Sequence, residues 1–209
     1  MKTENTQFNH NSLPQGWYWV RLSDLCIPDR KIVEPGSELA MRLPYLSLEH
    51  IESNTGRILR SPSDVRENEG QSTTFAFDSR HILYGKLRPY LNKVALPNFE
   101  GRATTELIPF LPIPNVSRRY LAWLFRHPNT VAIAMREKTG SRMPRANIDT
   151  ILSLQFPVPD SFDEQEKLAN LMESQMTYLE QAKKACLEQL ALMEELSAQF
   201  ITDFPLKIS

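Results

Sequence analysis

Cysteine is scarce in this 209-residue chain, which contains only Cys26 and Cys186. The two lie far apart and neither belongs to a Cys-x-x-Cys pair, so the pattern argues against a zinc site or a disulfide framework. Both are predicted to be small core residues. The four histidines also stand singly, and each is predicted to be a surface or packing residue rather than a metal ligand.

Glycine is sparse as well, with seven residues spread along the chain. Their spacing leaves no Gly-x-Gly-x-x-Gly cradle and no Walker-type loop, which excludes a nucleotide or methyl-donor pocket of either kind. Pro159-Asp160 resembles the start of a nuclease motif, but no later lysine has an acidic residue two positions before it. We expect this chain to bind no cofactor and any catalysis to belong to another chain.

Long apolar runs are missing too. No stretch of 18 apolar residues exists, so no membrane-spanning helix is expected. The first twelve residues are polar, without the hydrophobic centre of a secretion signal, and are predicted to form a disordered tail. These absences favour a cytoplasmic protein.

Glycine and proline are both absent from residues 160–204, although the whole chain has 7 Gly and 15 Pro. This absence predicts one helix about 65 Å long, starting at a capping box of Ser161 and Glu164, with residues 205–209 as a tail. A helix of that length needs a partner. Apolar residues at alternating spacings of three and four predict a coiled-coil seam, which Lys183 and Ser197 interrupt. The predicted partner-binding residues are Met172, Met176, Leu179, Cys186, Leu190, Met193 and Phe200.

Charge divides the chain into two parts. Residues 1–160 contain 20 Lys+Arg and 16 Asp+Glu, whereas residues 161–209 contain 4 and 9. Residues 80–145 alone hold 12 basic side chains against three glutamates, and Arg outnumbers Lys nine to three. This concentration is typical of a surface that binds a polyanion, and the excess of Arg favours bidentate contacts with phosphates or guanine edges.

Residues 13–159 are predicted to form a strand-rich α+β domain. Strands are expected at 17–22, 43–51, 73–77, 81–84, 93–96 and 104–110, and a turn at 54–57. Ser117 is expected to cap a helix containing Tyr120 and Phe125, with further short helices at 130–137 and 147–152. A polar loop is expected at 61–72, and a proline-stiffened extended segment at 154–159 leads into the long helix.

Two stretches in the basic region have the composition of a nucleic-acid site. Residues 84–93 interleave basic side chains with aromatic rings and an asparagine, which are types that contact phosphates and base edges. Residues 139–145 combine hydroxyls, arginines and a glycine. Either stretch alone could be a charged turn. The predicted DNA-binding residues are Lys86, Arg88, Tyr90, Asn92 and Lys93 in the first stretch, and Ser141, Arg142 and Arg145 in the second.

Several short sequences, in order, resemble those of type I restriction-modification specificity subunits. They are LPQGW at 13–17 with LSDL at 22–25, ILYGKLRPYL at 82–91, GRATTEL at 101–107, TGS at 139–141, and FPVP at 156–159 followed by EQEKL at 164–168. The third motif adds Arg102 and Thr105 to the candidate DNA-binding residues.

The resemblance implies a non-catalytic, DNA-binding specificity subunit. Its globular domain would recognise one part of a split target in double-stranded DNA, and its helix would set the gap to the other part while docking methylation subunits. A restriction subunit would complete the complex, with S-adenosylmethionine, Mg and ATP held by partner subunits.

The chain departs from this family in containing one recognition domain and one helix instead of two of each. We therefore expect a half-length subunit that forms a homodimer through antiparallel helices and binds two identical half-sites. Two alternatives remain at this point. One is a coiled-coil scaffold protein without specific DNA recognition, and the other is a piece severed from a larger restriction-methylation polypeptide.

Overall fold

The computed structural model describes residues 13–59, 71–136 and 143–203. They form a strand-rich α+β unit that reaches to Ala169, and a helical unit that begins at Asn170. The strands are β1 (Trp17–Arg21), β2 (Cys26–Pro28), β3 (Ile32–Val33), β4 (Tyr45–Leu46), β5 (Thr74–Phe77), β6 (Ile82–Gly85), β7 (Val94–Ala95), β8 (Gly101–Thr104), β9 (Leu107–Pro112) and β10 (Gln155–Pro159). The fold class predicted from the sequence is confirmed.

Four short helices and one long one complete the described fold. They are α1 (Glu38–Arg42), α2 (Arg118–Arg126), α3 (Pro128–Ala134), α4 (Ile148–Leu152) and α5 (Phe162–Asp203). Single turns of 3-10 helix occupy Leu22–Asp24, Leu48–His50 and Pro89–Leu91. As predicted, Ser117 caps α2, where its hydroxyl accepts a hydrogen bond from the Tyr120 N–H at 3.1 Å. None of the helices in the described residues is long and apolar enough to cross a membrane.

The strands form three sheets. One is antiparallel with the order β2-β9-β6-β7, and another has the order β3-β5-β8-β4, in which β4 and β8 run parallel. The third consists of β1 and β10, whose antiparallel pairing places Trp17 opposite Pro159. The predicted extended segment before the long helix is therefore the partner of the first strand.

Strand β6 shows how the core is organised. Ile82 and Tyr84 lie in the larger core beneath the short helices, where the rings of Phe110 and Phe125 are 4.8 Å apart. Leu83, between them, lies in a second cluster that joins the two four-stranded sheets. Because side chains alternate between the faces of a strand, a run that is apolar at every position serves two cores.

Two strand predictions are wrong in extent. Residues 43–51 form only the short β4, because the chain turns into 3-10 helix where the Ser47 N–H donates to Nδ1 of His50 at 3.1 Å. The strand predicted at 104–110 is two strands, β8 and β9, which lie in different sheets and are separated by a turn at Thr105 and Glu106. The loop predicted at 61–72 lies almost wholly outside the described residues.

The first turns of α5 pack on the strand-rich unit. Ala169 is fully buried, and Gln165 is 2% exposed. The Gln165 amide accepts a hydrogen bond from the Ser117 N–H at 2.8 Å and donates one to the Pro159 carbonyl at 3.0 Å. One buried side chain therefore satisfies the main chain beside α2 and at the end of β10.

We predict that Gln165→Ala lowers the free energy of unfolding by about 2–5 kcal/mol, because it leaves a buried N–H and a buried carbonyl unpaired. Urea unfolding of both proteins at equal concentration measures the difference. Gln189→Ala, an exposed change on the same helix, is the control and should shift stability by less than about 0.5 kcal/mol. Equal unfolding midpoints for the two variants would contradict the role given to Gln165.

The helical unit is exposed along its length after the first turns. Of the predicted seam, Met172 and Met176 are half-buried. The other seam residues are exposed: Leu179, Cys186, Leu190, Met193 and Phe200. The prediction that both cysteines are core residues is correct for Cys26, where burial raises the thiol pKa to about 12, and wrong for Cys186.

Candidate nucleic-acid interface

The first basic stretch leaves the end of β6 through an unusual turn. Arg88 and Asn92 flank the 3-10 turn Pro89–Leu91, and both have left-handed backbone conformations, with φ of 52° and 48°. Such conformations are costly for residues other than glycine and cluster at functional sites. The turn leaves Arg88 exposed and Tyr90 50% exposed.

The second basic stretch lies beside the first. A β-bridge joins Leu87 to Arg145, and the Arg88 N–H donates to the Pro144 carbonyl at 2.8 Å. The Lys86 N–H donates to the Glu106 carbonyl at 2.9 Å. Three stretches that are distant in sequence therefore meet at the end of β6.

A groove of about 410 Å³ opens at this junction. Its lining combines basic, acidic and apolar side chains, among them Arg88, Lys93, Glu49, Glu106, Leu48 and Leu91. The ammonium of Lys93 donates to the Leu48 carbonyl at 2.6 Å, and burial lowers its pKa while the charge of Glu49 opposes that shift. Lys93 is therefore held against the wall of the groove.

Glu106 is the acidic centre of the interface. Its Oε1 lies 2.9 Å from Nε and 2.8 Å from Nη2 of Arg145, and its Oε2 lies 3.2 Å from the same Nε. Lys86 Nζ is 4.0 Å from Oε2. The hydrogen bond and charge of Glu106 raise the pKa of Arg145. One carboxylate therefore lies between two predicted DNA-binding residues.

The predicted site residues differ in their accessibility. Arg88, Tyr90 and Arg145 are exposed. Half-buried are Lys86, Asn92, Lys93 and Thr105. The Asn92 amide donates to the Arg126 carbonyl at 3.1 Å, a contact that fixes the turn. Ser141 and Arg142 lie outside the described residues.

Arg102 needs a correction, because it is only 8% exposed. Its Nε donates to the Ala40 carbonyl at 2.8 Å, and its guanidinium lies 5.1 Å from the centre of the Tyr45 ring. It stabilises the packing of α1 and β4 against β8 instead of presenting its charge at the surface.

The sequence patterns did not select Glu106, which counted only as one of three glutamates in residues 80–145, or Glu49, which lies outside that segment. A signal for Glu106 was available in the motif GRATTEL, which the resemblance covers. Its role as an acceptor for Arg145 depends on a tertiary contact that residue types alone do not reveal.

A second groove, of about 270 Å³, lies at the other end of the sheets. The buried ring of His81 lies between two carboxylates there, with Nε2 3.2 Å from Asp29 Oδ2 and Nδ1 3.0 Å from Asp78 Oδ1. Arg80 pairs with Asp78 and lowers the pKa of that carboxyl. The charges of this cluster are largely paired internally, so the first groove is the better candidate site. Among the described residues, no group of three His, Cys, Asp or Glu side chains is placed to hold a metal ion.

The described residues form a strand-rich α+β unit, which carries a groove lined by charges of both signs, and a long helical unit. Comparison with known proteins identifies the class of protein to which this combination is similar. The chain is 24% identical over 196 residues to the type I restriction enzyme EcoDI specificity subunit of Escherichia coli, a match that covers 91% of this chain and 41% of that subunit. No family model matches the chain.

Two solved structures share the fold. The HsdS subunit from Thermoanaerobacter tengcongensis aligns with a TM-score of 0.71 and 20% identity over 90% of this chain and 49% of its own. The second is a chain from a structural study of complex assembly and conformational transition in the type I R-M system. It aligns with a TM-score of 0.73 and 22% identity over 95% of this chain and 52% of its own. This chain is thus similar to type I specificity subunits, as its motifs predict, and spans about half the length of the proteins it matches.

Proposed function

We propose that this chain recognises one part of a split target in double-stranded DNA on behalf of a type I restriction-modification complex. The observation that carries the proposal is the convergence of three basic residues at the end of β6: Arg88 lines the groove, and Lys86 and Arg145 lie beside it, close to the groove residue Glu106. The similarity to specificity subunits supports it. In this role the chain is not an enzyme.

The exposed arginines in and beside the groove, Arg88 and Arg145, suit DNA on electrostatic and geometric grounds. Exposed arginines provide the phosphate attraction that dominates affinity, and their planar forks can also read guanine edges. The carboxylates of Glu49 and Glu106 reduce the net charge of the same surface. A surface with both signs of charge favours selected contacts over uniform attraction.

The long helix has a separate role in this proposal. Its exposed apolar residues after Asn170, including Leu179, Leu190 and Met193, would dock methylation subunits and a second copy of the chain. A restriction subunit would join the complete complex. S-adenosylmethionine, Mg and ATP would be bound by these partners, and the assembly would act on DNA in the cytoplasm.

Footprinting tests the proposal directly. The purified chain, assembled with its methylation partner, should protect a defined bipartite DNA site. Methylation mapping of host DNA should then report the same sequence together with its gap. If the chain is instead a scaffold without specific recognition, the assembly will protect no defined site.

A charge-removing substitution tests the groove. Arg88→Gln should weaken binding to target and non-target DNA alike and reduce the slope of log affinity against log salt by about 0.9 for each recognition domain engaged. Titrations of labelled duplexes at several salt concentrations measure this. Arg21→Gln, an exposed change on the β1–β10 sheet, should leave the slope unaltered. A changed base preference with an unchanged slope would instead assign Arg88 to base reading.

A further inference from the structure

The ion pair between Arg145 and Glu106 has a directional geometry. We propose that Arg145 reads a guanine base in the DNA target and that Glu106 is the positioning residue that orients it. This inference rests on the proposed function and assigns different tasks to Arg88, which lines the groove, and Arg145, which lies beside it.

The argument begins with the guanidinium, which carries five N–H donors in a fixed plane. Glu106 occupies one edge of that plane, because its carboxylate contacts Nε and Nη2 of Arg145 at 2.8–3.2 Å. The end of the fork, formed by Nη1 and the outer hydrogen of Nη2, has no partner among the described residues. Two parallel donors at that end match the O6 and N7 acceptors of guanine in the major groove.

Both partners of the pair are held by the main chain at the end of β6. Glu106 accepts the Lys86 N–H through its carbonyl at 2.9 Å, and the Ala146 N–H donates to the Lys86 carbonyl at 2.8 Å. The bridge between Leu87 and Arg145 fixes the backbone of the arginine itself. An arginine held in this way loses little side-chain freedom on binding, which favours a directional contact.

Accessibility agrees with this orientation. The Arg145 side chain is 53% exposed while that of Glu106 is 21% exposed, so the arginine is the more accessible member of the pair. The carboxylate also reduces the attraction of this surface for phosphates. This loss of phosphate attraction is explained if the role of Glu106 is to orient Arg145 towards a base.

Arg88, which lines the neighbouring groove, provides the contrast. It is exposed, and within residues 13–59, 71–136 and 143–203 its side chain has no carboxylate partner. An arginine whose side chain is free to rotate suits a phosphate, which accepts hydrogen bonds from many directions. The two exposed arginines are therefore assigned different tasks, Arg88 to the backbone and Arg145 to a base.

The test is a binding selection from randomised DNA duplexes with the chain assembled on its methylation partner. Wild type should enrich a motif that contains a guanine, and Arg145→Lys, which keeps the charge but loses the fork, should weaken preference at that one position about 5- to 150-fold with the salt slope unchanged. Glu106→Gln should weaken the same preference and raise affinity for non-target DNA, because a negative charge is removed. Arg21→Lys, an exposed change on the β1–β10 sheet, is the control and should keep the full motif.

Each other outcome decides something different. If wild type enriches a motif and Arg145→Lys enriches it equally well, the base-reading role of Arg145 is wrong and the proposed function stands. If wild type enriches no motif at all, the proposed function and this inference both fail. The double variant Glu106→Arg, Arg145→Glu keeps an ion pair between the two positions but has no arginine at position 145. If this variant shows the guanine preference of the wild type, the pair has only a structural role.

Discussion

Replacing Gly56 with alanine is expected to destabilise the fold by about 4 kcal/mol, because the change combines backbone strain with a steric clash. Gly56 has a φ of +70°, and a Cβ there would lie 1.7 Å from the Val94 carbonyl oxygen and 2.4 Å from Nη2 of Arg126. A side chain can rotate away from such a contact, but the Val94 carbonyl belongs to β7 and cannot move alone.

Gly36→Ala is the matched control. Gly36 also has a positive φ, +73°, but nothing lies within 4 Å of its added Cβ. The Gly36→Ala variant therefore measures the cost of the backbone conformation alone, which should lower the free energy of unfolding by about 1 kcal/mol. Urea unfolding of both variants gives the comparison, and equal losses of stability would show that the close approach of Gly56 to β7 does not constrain the fold.

The consequence of Gly56→Ala should extend to the groove. Val94 follows Lys93 directly, and the Val94 carbonyl also accepts a hydrogen bond from Nη2 of Arg126 at 2.6 Å. Displacing that carbonyl would shift the wall that holds Lys93. A folded fraction of the variant should therefore also bind DNA more weakly than wild type.

Local signals in the sequence predict helices α2 and α5 well. Ser117 precedes an apolar helical repeat, and it caps α2 as expected. The absence of glycine and proline predicts α5, which runs from Phe162 to Asp203 against a predicted span of 160–204. Capping, periodicity and helix breakers act within a few residues, so the sequence alone displays them.

Strand pairings between segments that are distant in sequence cannot be predicted from such local signals. Strand β10 reads as an isolated proline-stiffened segment, yet its partner is β1, more than 130 residues earlier. Composition assigns Arg102 to a basic surface. However, β8 is a central strand whose neighbours are β5 and β4, and the Arg102 side chain is buried between α1 and Tyr45. Burial depends on sheet order, and sheet order is a property of the whole chain.

In the candidate site, too, composition predicts the local stretches but not the contacts between them. Composition selects the two basic stretches, and the structure brings the described part of the second, Met143–Arg145, against the first. The selection of Arg145 as a specific reader depends on Glu106, which lies 39 positions away. A count of charges treats Glu106 as an opposing charge, whereas the geometry makes it an orienting group.

The largest expected effect on assembly comes from the seam of the long helix. We predict that the wild-type chain self-associates and that Leu190→Asp raises the dissociation constant of the dimer about a thousand-fold or more, because an unpaired carboxylate would be buried where an apolar side chain packs. Leu190 is 52% exposed in the single chain, so the change should leave the monomer folded. Light scattering at micromolar concentration measures the effect.

Gln181→Asp is the control, because position 181 is exposed and lies on the face of α5 opposite the seam. It should leave self-association intact. A wild-type chain that is monomeric at micromolar concentration, even with its methylation partner bound, would show that the dimer proposal is wrong and that the seam serves other partners.

In the proposed dimer, the two polar seam positions favour one direction of pairing. In a parallel dimer Lys183 and Ser197 would each face its own copy, and two buried lysines would repel each other. An antiparallel pair offsets these positions against different residues, which makes it the better arrangement for this seam.

Two-fold symmetry would then place the two recognition domains in equivalent settings, so the DNA target should consist of two identical half-sites in inverted order. In the footprinting experiment, Leu190→Asp should lose joint protection of the two half-sites, whereas Gln181→Asp should protect both.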